Sequence, residues 1–144
     1  MDKRARILII DDETGPRESL KMVLKPFYDV FTASGRQDAL ALLQSTPVDL
    51  VTLDLKMADC HGTVLLKEIK NTCPNTQAII LTGYGTLKSA IEAIRLGASD
   101  YLLKPFQVTE ILSVINRVLT RPQVSGQMEA ALHELERVAE STHP

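Results

Sequence analysis

The sequence predicts an α/β fold: a doubly wound, five-stranded parallel sheet, (βα)5, with helices on both faces and a C-terminal helical extension. Apolar runs of strand length alternate with stretches of helical periodicity, and the alternation occurs five times in succession. Strict alternation favours a parallel sheet, and right-handed crossovers leave only a few doubly wound topologies. The 144 residues, 44% of them hydrophobic, are enough for one domain with a short appendage.

The first half of the chain contains three predicted strands and two predicted helices. Each strand is a short run rich in aliphatic, β-branched or aromatic residues. Pro16 suits the first turn of the first helix and Pro26 ends it, and the second helix ends near Pro47. The predicted strands are residues 7–10, 28–32 and 50–53, and the predicted helices are residues 15–25 and 36–44.

The second half of the chain continues the same pattern. The third helix begins at Gly62, and its apolar residues recur at helical spacing. Gly97 follows the fourth helix and is a natural C-terminal cap. The remaining predicted strands are residues 78–81 and 100–103, and the fourth and fifth helices are residues 86–96 and 108–119.

Residues 1–120 are therefore predicted to form the domain, and residues 121–144 a linker and a C-terminal helix. Residues 127–140 have apolar positions at alternating spacings of three and four, which predicts a short coiled-coil seam. Two heptads are marginal in water. The segment then docks on something, continues into a longer helix, or is a frayed tail. The seam residues are Met128, Ala131, Leu135 and Val138.

Composition and charge exclude several classes of protein. The 16 basic and 18 acidic residues give a net charge of -2, which disfavours direct binding of nucleic acid. Cys60 and Cys73 match no metal-binding or CxxC spacing and are predicted to be reduced thiols. No apolar run has the length of a signal peptide or membrane span, so we expect a cytoplasmic protein without membrane contact.

Polar residues occur where the predicted strands end. In a parallel α/β sheet these ends lie along one edge, where ligands bind. Three carboxylates, a hydroxyl and an ammonium are therefore predicted to converge. They belong to Asp11 and Asp12 after strand one, Asp54 after strand three, Thr82 after strand four and Lys104 after strand five.

This set of side chains suits phosphoryl chemistry. Clustered carboxylates repel one another unless a cation lies between them, and Mg²⁺ prefers oxygen ligands of this kind. A carboxylate beside the metal can act as a nucleophile, as in aspartyl-phosphate chemistry. Lys104 would neutralise charge on a transferring phosphoryl group, and the Thr82 hydroxyl could donate to it. Each residue taken alone could instead be a helix cap, a turn residue or a surface lysine.

The motifs together resemble the receiver domain of two-component response regulators, which has the flavodoxin-like fold. The resemblance covers residues 5–120, and residues 83–98 resemble receivers of the nitrogen-regulator type. The motifs occur in the order and approximate spacing of that family. They are Ile9-Ile10-Asp11-Asp12-Glu13, Leu53-Asp54, Leu81-Thr82-Gly83 and Lys104-Pro105-Phe106.

The resemblance implies a role for each site residue. Asp54 would be the phosphoacceptor. Mg²⁺ would be bound by Asp12, Asp54 and the backbone carbonyl of Lys56, with Asp11 acting through water. Thr82 and Lys104 would contact the phosphoryl group. Thr82 and Tyr101 would act as the switch, and the Lys104-Pro105 peptide bond would be cis.

The implied function is a signalling switch rather than an enzyme with a separate substrate. A sensor histidine kinase or a phosphotransfer protein would phosphorylate Asp54, and the surface of helix four, strand five and helix five would change. That change would control an unknown output domain or partner, and homodimerisation is a further hypothesis. The alternative is a pseudo-receiver that only binds partners. A phosphatase of the haloacid dehalogenase type is disfavoured because Lys56 stands where its second Asp would be.

The loop after Asp54 departs from the family's usual Met-Pro-x-x-Asp-Gly. Ala58 replaces the proline and His61 replaces the second acid. These changes are expected to affect the rigidity of the loop and the lifetime of the phosphoryl group. Gly62 is retained, and we predict that it supplies a backbone angle that other residues resist.

Overall fold

The computed structural model describes residues 4–120 and 134–139. Five strands form one sheet in the order β2-β1-β3-β4-β5, and every neighbouring pair is parallel. The predicted doubly wound fold is confirmed. The strands are β1 Arg6–Ile10, β2 Asp29–Ala33, β3 Leu50–Leu53, β4 Gln77–Thr82 and β5 Asp100–Leu103. The helices are α1 Thr14–Leu24, α2 Arg36–Ser45, α3 Gly62–Thr72, α4 Leu87–Arg95 and α5 Val108–Thr120.

The sheet is covered on both faces because alternate residues of the central strands point to opposite sides. Leu8 and Ile10 of β1 belong to the core beneath α2, α3 and α4, and Ile7 and Ile9 belong to the core beneath α1 and α5. All four residues of β3 are buried. A strand buried on both faces needs a nearly continuous apolar run, which explains the pattern in the sequence.

The second strand is displaced by one residue from its predicted position. Prediction placed it at residues 28–32, but β2 pairs with β1 from Arg6↔Asp29 to Ile10↔Ala33. The amide of Tyr28 instead donates to the carbonyl of Leu24 at the end of α1. Pairing with β1 therefore sets the limits of this edge strand, and the alternation of its own side chains does not.

Helix α4 is capped at both ends by side-chain and backbone features. Thr86 is the N-cap, and Thr86 and Ser89 form a reciprocal capping box. Gly97 has a φ of 104° and is the one residue with positive φ among the described positions. The predicted glycine cap of α4 is confirmed.

Part of the predicted C-terminal helix lies within the described residues. Residues 134–139 are helical, and Glu136 forms an ion pair with Arg95 at the end of α4. The Arg95 Nε also donates to Glu136 Oε1 at 3.0 Å. This part of the helix therefore contacts the domain. The linker prediction and the first half of the seam, including Met128 and Ala131, fall outside the described residues.

Candidate functional site

The candidate site lies at the edge of the sheet where β1, β3, β4 and β5 end. Asp11 directly follows β1, Asp54 follows β3, Thr82 closes β4 and Lys104 follows β5. The amide of Lys104 donates to the carbonyl of Thr82 at 2.8 Å, which joins the ends of β4 and β5. Parallel pairing of the strands thus brings together residues that are up to 93 positions apart in the chain.

Lys104 joins two of the predicted acids. Its Nζ lies 3.1 Å from Asp11 Oδ2 and 3.1 Å from Asp54 Oδ2. Burial would lower the pKa of the Lys104 ammonium, but hydrogen bonds and charges from Asp54 and Asp11 outweigh it, and the net shift is upward. Lys104 is therefore a charged ammonium shared by two carboxylates.

The backbone around Asp11 holds its carboxylate in place. Asp11 is buried, with 7% of its surface exposed. Its Oδ1 accepts from the amide of Glu13 at 3.0 Å, and its carbonyl accepts from Arg17 Nη1 at 2.8 Å. The start of α1 thus fixes the acidic turn against the sheet.

Asp54 and Asp12 are both bound by amides of the loop that joins β3 to α3. Asp54 Oδ1 accepts from the amide of Lys56 at 3.0 Å. Asp12 Oδ2 accepts from the amide of Ala58 at 2.7 Å. Asp12 is therefore turned toward the loop, whereas Asp11 and Asp54 meet at Lys104. The position of this loop controls the arrangement of two of the three acids.

Thr82 is completely buried at the end of β4. Its Oγ1 accepts from the amide of Tyr84 at 3.2 Å, which leaves the hydroxyl proton available for donation. The hydroxyl is therefore oriented by the loop that leads toward α4.

Tyr101 points toward helix α4 in this structure. Its hydroxyl lies 2.9 Å from Ser89 Oγ, and its ring packs on the core beneath α2, α3 and α4. A Cβ added to Gly85 would lie 2.8 Å from the same hydroxyl. Ser89 thus joins the capping box of α4 to the predicted switch residue. The Lys104–Pro105 peptide bond is cis.

Sequence reasoning missed a contact between the loops that follow β3 and β4. Lys56 Nζ lies 4.1 Å from the centre of the Tyr84 ring, a distance at which a cation and a ring attract. Lys56 comes two residues after Asp54, and Tyr84 comes two residues after Thr82, on loops that follow the paired strands β3 and β4. The sequence could have indicated this contact, because the two residues have the same spacing from neighbouring strand ends.

The reason for glycine at position 62 differs from the prediction. Its φ is not positive, since Gly97 alone has this property in residues 4–120 and 134–139. A Cβ at position 62 would instead meet the carbonyl oxygen of Asp54 and lie 2.5 Å from the Cα of Leu55. Close approach of two backbone segments explains the glycine, and the predicted unusual backbone angle was wrong.

Gly62→Ala is expected to lower the free energy of unfolding by about 2 kcal/mol, because rigid backbone atoms must move to admit the methyl group. Urea unfolding monitored by circular dichroism measures this change. Gly15→Ala is the control, since no atom lies within 4 Å of an added Cβ there. Equal stability of the Gly62 variant and the wild type would show that the loop relaxes freely.

A comparison with known proteins identifies the family of the chain. A family model described as response regulator receiver domain matches residues 7–116. The chain belongs to the response regulator receiver family. A solved receiver domain protein (CheY-like) from Methanospirillum hungatei JF-1 has a TM-score of 0.78 and 29% identity, covering 90% of this chain and 99% of that one.

Two curated relatives of this chain differ in length. Chemotaxis protein CheY of Thermotoga maritima is 34% identical over 115 residues, which are 78% of this chain and 96% of that protein. Transcriptional regulatory protein ZraR of Salmonella typhimurium is 33% identical over 121 residues, or 83% of this chain. The chain spans 27% of the length of ZraR. The match to ZraR agrees with the predicted nitrogen-regulator type.

The receiver's acids suit a magnesium ion. Within the part of the chain that the structure describes, no three His, Cys, Asp or Glu side chains are arranged as a metal cage. Mg²⁺ does not require one, because it binds through one or two carboxylates together with carbonyls and waters. Asp11 and Asp54 share one ammonium, that of Lys104, whereas Asp12 accepts from the amide of Ala58. The three carboxylates therefore carry two more negative charges than Lys104 offsets, and a divalent cation fits this deficit.

Within the same described residues, no helix is both long enough and apolar enough to cross a bilayer.

Proposed function

We propose that this receiver is a phosphorylation-activated switch with Asp54 as the phosphoacceptor. The observation that carries the proposal is the contact of Asp54 with the Lys104 ammonium at the sheet edge, at a distance of 3.1 Å. A nucleophilic carboxylate and a fixed cation beside it are two of the groups that promote phosphoryl transfer to Asp. The family match supports the same assignment.

The positions of these groups support the proposed transfer to Asp54. A carboxylate oxygen of Asp54 forms the new O–P bond as the P–N bond to the donor histidine breaks, and the imidazole leaves with the bonding electron pair. Lys104 stabilises the charge on the phosphoryl oxygens, and Thr82 donates its hydroxyl proton to one of them. Asp12, Asp54 and the Lys56 carbonyl would hold Mg²⁺, with Asp11 acting through water. Bound Mg²⁺ would neutralise negative charge on the phosphoryl group.

Phosphorylation would be transmitted through Thr82 to helix α4. The amide of Tyr84 donates a hydrogen bond to Thr82 Oγ1, and the Tyr101 hydroxyl is hydrogen-bonded to Ser89 of α4. Movement of Thr82 toward a phosphoryl oxygen would break the first bond and shift the loop between β4 and α4. Tyr101 would then lose its hydrogen bond to Ser89 and move to a more buried position. Phosphorylation would bias this two-state change.

The surface that would change contains an open groove between α4 and β5. The groove has a volume of about 580 Å³, and Leu87 and Leu103 on it are about half exposed. Apolar side chains at such a site suit a protein partner. An output domain in the same polypeptide or a separate partner would bind here, and a cytoplasmic sensor histidine kinase or phosphotransfer protein would supply the phosphoryl group.

Homodimerisation through α4, β5 and α5 or through the C-terminal helix is part of the proposal. Phosphorylated protein is expected to sediment as a dimer at high concentration. Sedimentation as a monomer with and without a phosphodonor would contradict this part and leave phosphorylation itself untouched.

The experiment that tests the proposal is the intact mass of the protein after incubation with Mg²⁺ and acetyl phosphate. A gain of one phosphoryl group is expected, and chelation of Mg²⁺ with EDTA is expected to prevent it. Absence of the gain, together with absence of Mg²⁺ binding in calorimetry, would overturn the proposal in favour of a module that only binds partners.

Tyr84→Ala is expected to shorten the lifetime of the phosphorylated state by about two- to fivefold. The Lys56 ammonium lies over the Tyr84 ring, an interaction of about 0.5–1 kcal/mol at an exposed site. Its loss is expected to loosen the loop whose Lys56 amide binds Asp54, and so to admit water to the phosphoryl group. Loss of phosphoprotein over time, after the donor is removed, measures the lifetime. Tyr84→Phe keeps the ring and is expected to match the wild type. If the phosphorylated Phe and Ala variants decayed at the same rate, faster than the wild type, the Tyr84 hydroxyl rather than its ring would be responsible.

A further inference from the structure

The loop between β3 and α3 has a tether that lies outside the acid site. Asp59 Oδ2 accepts a hydrogen bond from the amide of Arg36, the first residue of α2, at 2.9 Å. The N-cap residue of α2 is Gly35, which has no side chain to satisfy the free amides of that helix end. Asp59 therefore caps α2 from a segment 23 residues away.

Gly35 is explained by the same contact. A Cβ at position 35 would lie 2.6 Å from Asp59 Oδ2. The backbone of Gly35 is extended, with φ -169° and ψ -174°, which any residue adopts. Space for the Asp59 carboxylate, and not backbone conformation, is the reason for glycine here.

The tethered loop also carries the groups that face the acid site. The amide of Ala58, next to Asp59, donates to Asp12 Oδ2 at 2.7 Å. An open cavity of about 450 Å³ lies between this loop and the start of α2, lined by Asp12, Ser34, Asp38 and Ala58 among others. Since the cavity separates the two segments, the Asp59 bond is a bridge across a gap rather than one contact in a packed interface.

A second pair of bonds ties α2 to the helix that follows the loop. Arg36 Nε and Nη2 donate to the two carboxylate oxygens of Glu68 in α3 at 2.7 and 2.6 Å. The backbone amide of Arg36 thus donates to Asp59, and its guanidinium donates to Glu68. The loop and the helix after it are both fixed to the first residue of α2.

We infer that Asp59 is a positioning residue. Its hydrogen bond to the Arg36 amide fixes the β3–α3 loop, and the Ala58 amide of that loop in turn positions the Asp12 carboxylate. Ala58 stands where a proline would restrict the backbone, so the loop relies on this external bond for its rigidity. The part of the inference that concerns Mg²⁺ rests on the proposed function. The part that concerns the loop does not.

The test compares Asp59→Ala with Asp59→Asn. Asparagine is as good a helix cap as aspartate, whereas alanine cannot accept a hydrogen bond. Amide hydrogen exchange by NMR in Mg²⁺-free protein is the first readout, and the Mg²⁺ dissociation constant by calorimetry is the second. Asp59→Ala is expected to speed exchange at the Arg36 and Ala58 amides and to weaken Mg²⁺ binding, each by about fivefold, the factor that corresponds to loss of one cap. Asp59→Asn is expected to stay within about twofold of the wild type.

Two further variants control for charge and for the route of the effect. Asp38→Ala removes an acid that lines the same cavity and accepts a bond from Ser34, and it is expected to leave exchange at Ala58 unchanged. Gly35→Ala displaces the Asp59 side chain and is expected to reproduce Asp59→Ala.

Two results would overturn the inference. One is faster exchange at Arg36 in Asp59→Ala with no change at Ala58 or in Mg²⁺ affinity. The other is equal behaviour of the Asn and Ala variants, which would make the charge responsible. If the exchange results hold but the protein never accepts a phosphoryl group, the proposed function fails and the positioning role stands.

Discussion

Asp54→Asn is expected to reduce phosphoryl uptake from acetyl phosphate by more than about a thousandfold, to below detection, because an amide oxygen is a far weaker nucleophile than a carboxylate. The substitution keeps an oxygen that can accept from the Lys56 amide, so the loop geometry is retained. Intact mass after incubation with Mg²⁺ and the donor measures the loss. Circular dichroism of the variant checks that the fold is unchanged.

Asp49→Asn is the matched control for this prediction. Asp49 precedes β3, at the opposite end of the strand that Asp54 follows, and its Oδ2 accepts from the amide of Arg6 at 2.8 Å. Its uptake is expected to equal that of the wild type. Full uptake by the Asp54 variant would place the acceptor on another acid of the site, with Asp11 and Asp12 the next to be replaced.

Most of the fold was predictable because the central strands are buried on both faces. Continuous apolar runs such as residues 7–10 and 50–53 have few other solutions in a chain that alternates strands and helices. The edge strand β2 carried less information. Its residues are largely only half buried, and the register with β1 fixed its limits, which no local pattern could show.

The candidate site was predictable for a related reason. Parallel strands place their carboxyl ends at one edge, so polar residues directly after apolar runs must lie near one another. That rule brought Asp11, Asp54 and Lys104 together before any distance was known. It did not show that Asp12 turns toward Ala58, because the direction of that side chain depends on the path of the β3–α3 loop.

Two hydrogen bonds that sequence reasoning missed join elements that are far apart in the chain. Ser89 meets Tyr101 across α4 and β5, and Asp59 meets the start of α2. Neither of them belongs to a periodic pattern, and each needs two segments to reach a distance of about 3 Å. Gly62 shows the same limit, since its two backbone neighbours come close only in the folded chain.

Lys104→Met is expected to slow phosphoryl uptake by about 10- to 100-fold, because the substitution removes a fixed positive charge from the transferring group. Methionine keeps most of the length and apolar volume of the side chain, so packing is largely preserved. The initial rate of mass gain with acetyl phosphate measures the effect. Lys56→Met, which removes an exposed lysine beside the same site, is expected to alter the rate by no more than a few fold.

Lys104→Met is also expected to destabilise the Mg²⁺-free protein by about 2 kcal/mol at neutral pH, because Asp11 and Asp54 lose their shared cation in a partly buried site.

The pKa of Lys104 is raised in the folded protein: burial lowers it, but the bonds to Asp54 and Asp11 raise it more. A raised pKa means that the contribution is complete below the unfolded value of about 10.4 and is lost as pH rises through the folded value. Urea unfolding in EDTA should therefore show a constant difference between wild type and variant from about pH 6 to about pH 9, shrinking above about pH 10.4. Added Mg²⁺ is expected to stabilise the variant more than the wild type, since it supplies the missing charge. Equal stability of the two proteins at neutral pH would show that solvent, rather than Lys104, compensates these acids.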